Sequence, residues 1–146
     1  MKRDTELRQE RDRELYSIYV KGLNEQNFEN THEAADWARS QPASKFFISS
    51  KSLVNYIGQR LANAPLTNMF EENRRRMEHL YGLYLDFIAN NPNTTLSRER
   101  ICEILVDSPA PMFFIGHESA IKIILRERAS AKKQFIDRYC LWEYYL

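Results

Sequence analysis

The sequence predicts an all-α protein, and three observations carry that prediction. Glycine and proline are scarce, at 4 and 5 among 146 residues, too few for the turns of an all-β fold. Apolar residues recur at three- and four-residue steps over long stretches. One pattern occurs twice. Leu15-Tyr16-x-x-Tyr19 returns as Leu80-Tyr81-x-x-Tyr84, 65 positions on. Pro42-Ala43-x-x-Phe46-Phe47-Ile48-x-x-x-Ser52 returns as Pro109-Ala110-x-x-Phe113-Phe114-Ile115-x-x-x-Ser119, 67 positions on. Val54 and Ile57 keep that second offset with Ile121 and Ile124. The two extra residues of the second block fall most simply around 90–93. This is the signature of a tandem duplication of a three-helix unit. Repeat 1 is expected at 1–66, repeat 2 at 67–131 and a C-terminal aromatic helix at 132–146.

The elements follow in order. The first helix is expected over about 4–23, with Leu7, Leu15, Ile18, Val20 and Leu23 as its apolar stripe. Thr31 caps the second, since its hydroxyl can accept from an exposed backbone N–H. That helix ends before Pro42, because proline disfavours helical geometry in the residue before it. Residues 42–48 are too apolar for a solvated loop, so their Phe pair should plug the core. Ser49 opens the third helix, with Leu53, Ile57 and Leu61 inward. Residues 63–67, with Pro65, form a joint short enough that the two blocks should pack together. The second block repeats the plan. Its first helix covers about 68–89, with Met77, Leu80, Leu83, Tyr84, Phe87 and Ile88 inward. Ser97 caps its second helix, Pro109 ends it, and Gly116 opens the third, with Ala120, Ile121, Ile124 and Leu125 inward. The tail, FIDRYCLWEYYL, places Phe135, Tyr139, Trp142 and Leu146 at helical spacing and has no counterpart in the first block. Two roles fit it: covering apolar surface of the second block, or docking a protein partner or homodimer mate through those four residues.

Several function classes drop out. No stretch approaches 18 consecutive apolar residues, so no transmembrane helix is expected. The first residues, MKRDTELRQERDREL, lack an apolar signal segment, so a cytoplasmic location is expected. Cys102 and Cys140 make neither metal-ligand spacing nor a disulfide framework, and Cys102, beside Ile101, reads as a small buried residue. His32, His79 and His117 are scattered outside any ligand pattern, so no metal is expected. The sequence offers no phosphate loop, nucleophile motif or acid–base pair, which implies a non-enzymatic protein without cofactors. The two Tyr-x-x-Tyr pairs read as packing residues rather than base-stacking platforms. Arg74-Arg75-Arg76, flanked by Glu71, Glu72 and Glu78, reads as a salt-bridged helix face.

The net charge of +1 hides an asymmetry. Residues 14–41 hold Lys21 and Arg39 against five acids, whereas 42–70 hold Lys45, Lys51 and Arg60 and no acid. The second block repeats this more weakly, at net −2 over 71–111 and +2 over 112–146. A basic third helix in both blocks points to an anionic partner. Helical spacing puts Ser50, Lys51, Asn55 and Gln59 on the outer face of the first, and His117, Lys122, Arg126 and Lys133 on that of the second. Asn, Gln, Arg and Lys can pair with base edges or hold phosphates, and Lys45 precedes the first helix.

Three short helices with a basic third one resemble tandem helix-turn-helix-like tri-helical accessory proteins of phage and other mobile elements. The resemblance implies duplex DNA binding through Lys45, Ser50, Lys51, Asn55, Gln59, His117, Lys122 and Arg126, in an accessory or regulatory role. Here the turn from Pro42 to Ser49 is eight residues long, against the usual three or four. That length supports the alternative, a protein-interaction or structural module. The two readings differ in what they expose: Lys45, Lys51, Asn55, Lys122 and Arg126 on a common surface for DNA, or Phe46, Phe113 or the Trp142 tail for a protein.

Overall fold

Six helices follow one another in the computed structural model, which describes residues 4–139. They are α1 (Asp4–Glu25), α2 (Thr31–Arg39), α3 (Ser50–Leu61), α4 (Glu71–Asn90), α5 (Arg98–Val106) and α6 (His117–Tyr139). The fold is all-α, and no helix among the described residues is long and apolar enough to cross a membrane. Ser49 caps α3 by accepting from Ser52 N at 3.3 Å, and Ser97 caps α5 by accepting from Arg100 N at 3.2 Å. The cap of α2 is Asn30 rather than Thr31, its side chain accepting from Glu33 N at 2.9 Å. Asn30 wins because it puts Glu33 three residues on, where the carboxylate reaches back to accept from Glu29 N at 2.9 Å. The fourth helix opens at Glu71, later than the spacing suggests, with Glu71 and Glu72 in the first turn, where the helix dipole favours anions.

Packing runs across the order of the chain. Helices α1 and α2 lie against each other and both pack on α6, while α4 and α5 lie against each other and both pack on α3. The third helix of each sequence block thus completes the pair of helices in the other block. The crossing point is an isolated antiparallel bridge between Ala43 and Ala110, each donating its N–H to the other's carbonyl at 3.0 Å. Two further bonds flank it. Phe46 N donates to Val106 O and Phe113 N to Arg39 O, both at 3.1 Å, and donors and acceptors alike lie 67 positions apart. Phe47 stacks on Phe113 at 6.3 Å and Phe46 on Phe114 at 6.1 Å. Phe46, Phe47 and Phe113 are buried and Phe114 half-buried, so the Phe pairs plug the core where the loops cross. Each buried ring contributes roughly 1.5–3 kcal/mol. Phe47 and Phe114 both adopt φ 55°, a costly region for a residue with a Cβ. The reciprocal bonds and ring stacking around them hold that geometry.

The core residues Leu15, Tyr19, Leu53, Ile57, Leu80, Tyr84, Ala120 and Ile124 are all buried. Five expected core positions are instead exposed: Val20, Leu23, Leu61, Ile88 and Leu125. Leu23, Leu61 and Ile88 fall in the last turns of their helices. In α6 the inward row is Ala120, Ile123 and Ile124, and the next residue, Leu125, is turned about 100° away from Ile124. The break expected before residue 132 is absent, because α6 continues to Tyr139 through a stretch free of Gly and Pro. On that extension Ile136 is buried and Phe135 exposed, so the inward row falls one residue later than the aromatic spacing suggests. The side chain of Tyr139, together with Cys140, Trp142 and Leu146, lies outside the described residues.

Candidate functional site

The third helices separate the eight candidate DNA-contact residues by what each one touches. Helix α3 buries Leu53, Tyr56 and Ile57, which turns Lys51 and Asn55 outward, one helical turn apart. Both are exposed, as is Lys122 on α6. Gln59 is half-buried and donates to Thr67 Oγ1 at 3.3 Å, tying α3 to the joint. Lys45 pairs with Glu10 at 2.9 Å and stands 5.7 Å from the Phe47 ring centre. Ser44 N donates to Glu14 at 3.1 Å, so α1 holds this loop from two sides. Ser50 lines a cavity of about 650 Å³ together with Lys45, Arg100, Glu103 and Asp107.

His117 and Arg126 are structural as well as basic. His117 Nδ1–H donates to Asp36 Oδ1 at 2.6 Å, and its Nε2 lies 3.4 Å from His32 Nδ1. Asp36 also accepts from Arg39 Nε at 2.8 Å, and the Arg39 and His117 bonds hold its carboxyl below the usual carboxylate range. Arg39 reaches on to Ile115 O at 3.0 Å, so α2 grips the start of α6. Arg126 donates to Asp12 Oδ2. Asp12 is buried at 3% exposure, and its other oxygen accepts from Arg11 at 2.9 Å. A carboxylate buried this deeply needs both partners. Arg126 therefore pins α6 to α1 as well as presenting charge.

Sequence spacing missed a second basic site. Of the Arg74–Arg75–Arg76 triplet, only Arg75 makes the expected helix-face pairs, with Glu71 at 3.2 Å and Glu72 at 3.6 Å. Arg76 points inward. It donates to Phe46 O at 3.3 Å and to Asn73 Oδ1 at 2.6 Å, and its buried Nε has no partner among the described residues. It lines a cleft of about 280 Å³ between the starts of α1, α3 and α4, with Arg8 and Arg11 on the rim. The only advance signal is the arginine count of the two first helices, which does not distinguish an inward arginine from a solvated one.

The tyrosines are committed to packing. Tyr19 and Tyr84 are buried, Tyr16 stacks on Tyr19 at 6.1 Å, and Tyr81 meets Tyr56 edge-on at 6.5 Å beneath the Arg60 guanidinium. Burial pushes the Cys102 thiol up to about 11, which leaves it protonated and unreactive at neutral pH. Among the described residues no group of three or more His, Cys, Asp or Glu side chains is placed to hold a metal ion. No family model, curated protein or solved structure matches this chain.

Proposed function

We propose that this chain is a non-enzymatic DNA-binding accessory or regulatory protein of the helix-turn-helix-like kind found on mobile elements, acting in the cytoplasm. On this reading it arose by tandem duplication, and the matching bonds at positions 67 apart support that origin. The observation that carries the functional reading is the outer face of α3. Lys51 and Asn55 stand exposed one turn apart, on a helix fixed from behind by Leu53, Tyr56 and Ile57. On this reading Lys51 holds a phosphate and the Asn55 amide beside it reads a base edge. Lys122, at the position that matches Asn55, puts a cation on the outer face of α6 where Glu118 stands in place of Lys51, and Arg126 adds charge one turn on. Phe46 and Phe113, each 2% exposed, are unavailable as a docking surface, which weighs against the protein-binding alternative in that form.

The test is a mobility shift with mixed-sequence duplex at two salt concentrations. Binding should weaken steeply as salt rises, since phosphate contacts release counterions. Lys51→Gln with Lys122→Gln should lower the slope of log affinity against log salt by about two units. Arg126 is left intact, because its loss would strip a partner from buried Asp12. Asn55→Ala should shift base preference by on the order of 1–3 kcal/mol. No shift at low salt, or a double variant that binds like the parent, overturns the reading. One observation favours the interaction module instead. Phe70 is 90% exposed, and Leu61 and Leu66 nearby in the chain are exposed too. If DNA binding fails, this apolar joint is the surface to test against protein partners.

A further inference from the structure

The strongest unexplained feature outside the third-helix faces is the arginine-lined cleft. Charged side chains are rarely buried without an opposite charge or a full set of hydrogen bonds. Arg76 is half-buried and makes no ion pair among the described residues. Its bonds go to a carbonyl and a neutral amide, Phe46 O and Asn73 Oδ1, and its Nε–H is buried with none. Burial and the nearby Arg11 charge pull its pKa down to about 10, with Asp4 opposing weakly. Arg11 spends its bonds on Asp12, which Arg126 also holds. Of the charged residues that line the cleft, then, Arg8, Arg11 and Arg76 stand against Asp4, and the local balance is positive. Ser52 and Asn73 add neutral hydrogen-bonding groups to the wall.

We propose that this cleft is an oxyanion site, in which Arg76 from below and Arg8 from the rim hold a phosphate group. A tetrahedral oxyanion would accept from the terminal N–H groups of Arg76 that Phe46 O and Asn73 Oδ1 do not take, and would offset the crowding of like charge. The cleft of about 280 Å³ is large enough to seat a phosphate group. The site lies at the starts of α1, α3 and α4, so an occupant ties together helices of both halves of the molecule. The inference is independent of the DNA reading. The phosphate group can be a free phosphate or a diester of the duplex backbone.

The experiment compares the melting temperature of the full chain in sodium phosphate and in sodium chloride at equal ionic strength and pH. A tenfold excess of phosphate over its Kd should raise the melting temperature by about 3–6 °C above chloride. Arg76→Gln should abolish the gain. Arg8→Gln, an exposed residue with little packing role, should remove most of it while leaving the chloride melting temperature and circular dichroism unchanged. That second variant decides the matter if Arg76→Gln does not fold. Equal melting in the two salts, or a full phosphate gain in Arg8→Gln, overturns the proposal. The source is assigned by repeating the mobility shift with Arg8→Gln. A diester source predicts weaker duplex binding by that variant and displacement of duplex by phosphate. A free-phosphate source predicts duplex binding unchanged while the phosphate gain is still lost. If the parent shows no duplex shift but keeps the phosphate gain, the DNA reading fails and this one stands.

Discussion

The two halves of the molecule share one helical plan but fasten their third helices differently. In the half built from α1, α2 and α6, the fastening is polar: an ion pair from Arg126 to buried Asp12, and a hydrogen bond from His117 to Asp36 at 2.6 Å. In the half built from α4, α5 and α3, the positions at matching sequence offsets are Gln59, Met77, Ser50 and Glu103. Met77 is buried in the apolar core where Asp12 takes two arginines. Ser50 and Glu103, in place of His117 and Asp36, line the open cavity of about 650 Å³. Val106, in place of Arg39, lines it too. Packing volumes are also exchanged. Gly22 sits under Trp37 in the first half, where the second has Phe87 and Ile104. One fold therefore tolerates either a buried ion pair or a methionine at the same place, as expected if the net worth of such a pair is small. The open volume at the start of α3 lies where the second half has Ser50 and Val106 at the positions of His117 and Arg39.

Four measurements break or sharpen that comparison. The largest effect is expected at the crossing, which belongs to both halves. Phe46→Ala and Phe113→Ala should each cost about 3–5 kcal/mol, and in each variant both halves should unfold in one transition. Urea melts followed by far-ultraviolet circular dichroism and by tryptophan fluorescence should coincide; separate transitions would mean that the halves are independent. Next comes the ionic fastening. Asp12→Ala should cost about 2–3 kcal/mol by leaving Arg11 and Arg126 without their shared acceptor. Asp12→Met with Arg126→Gln transplants the second half's residues and should leave a loss under about 1.5 kcal/mol. If the double variant is as unstable as the single one, the two fastenings are not interchangeable.

Glycines separate the halves at a smaller scale. A Cβ at Gly22 would lie 2.4 Å from the Trp37 ring, so Gly22→Ala should cost about 1–3 kcal/mol. In α4, a Cβ at Gly82 meets nothing within 4 Å, and Gly82→Ala should stabilise by about 0.5–1 kcal/mol through helix propensity. Chemical denaturation of the two variants checks the contrast in sign. The smallest effect is the pH response of Asp36. Its pKa is depressed in the folded state, so its contribution is complete above the ordinary carboxylate value of about 3.9 and drains away as pH falls through the lowered one. Asp36→Asn should therefore melt slightly below the parent at pH 6, and the gap should narrow as the pH is lowered below the ordinary carboxylate range. A gap that stays constant across that range would remove the carboxylate from the account.

The helices, their caps at Ser49 and Ser97, and the Phe plugs were legible because each is local. Periodicity, a hydroxyl at the right step and two adjacent aromatics are all visible in a short window of sequence. The exchange of α3 and α6 was not, because an apolar row such as Leu53, Tyr56 and Ile57 states which face is buried and not which neighbour buries it. The ten residues from Ser40 to Ser49 can carry the chain to either side. At the third-helix faces, helical spacing placed Lys51, Asn55 and Lys122 outside but could not show that Gln59, His117 and Arg126 are bonded to distant residues. Arg76 was misread for a similar reason. The acids flanking the triplet satisfy a surface pattern, and its true partner is a carbonyl 30 positions back.

The crossing at Ala43 and Ala110 also changes what the joint through residues 62–70 is for. Each block already clasps the other, so that peptide link connects pieces that would stay together without it. Cutting it at an inserted protease site should leave two fragments that co-elute as one particle, since separating them exposes both cores to water at once. Fragments that stay together would make its role kinetic, to keep the arms near each other until they have clasped. Once that is done, lengthening it costs only about 0.6 kcal/mol per doubling, and the native protein would barely register the change.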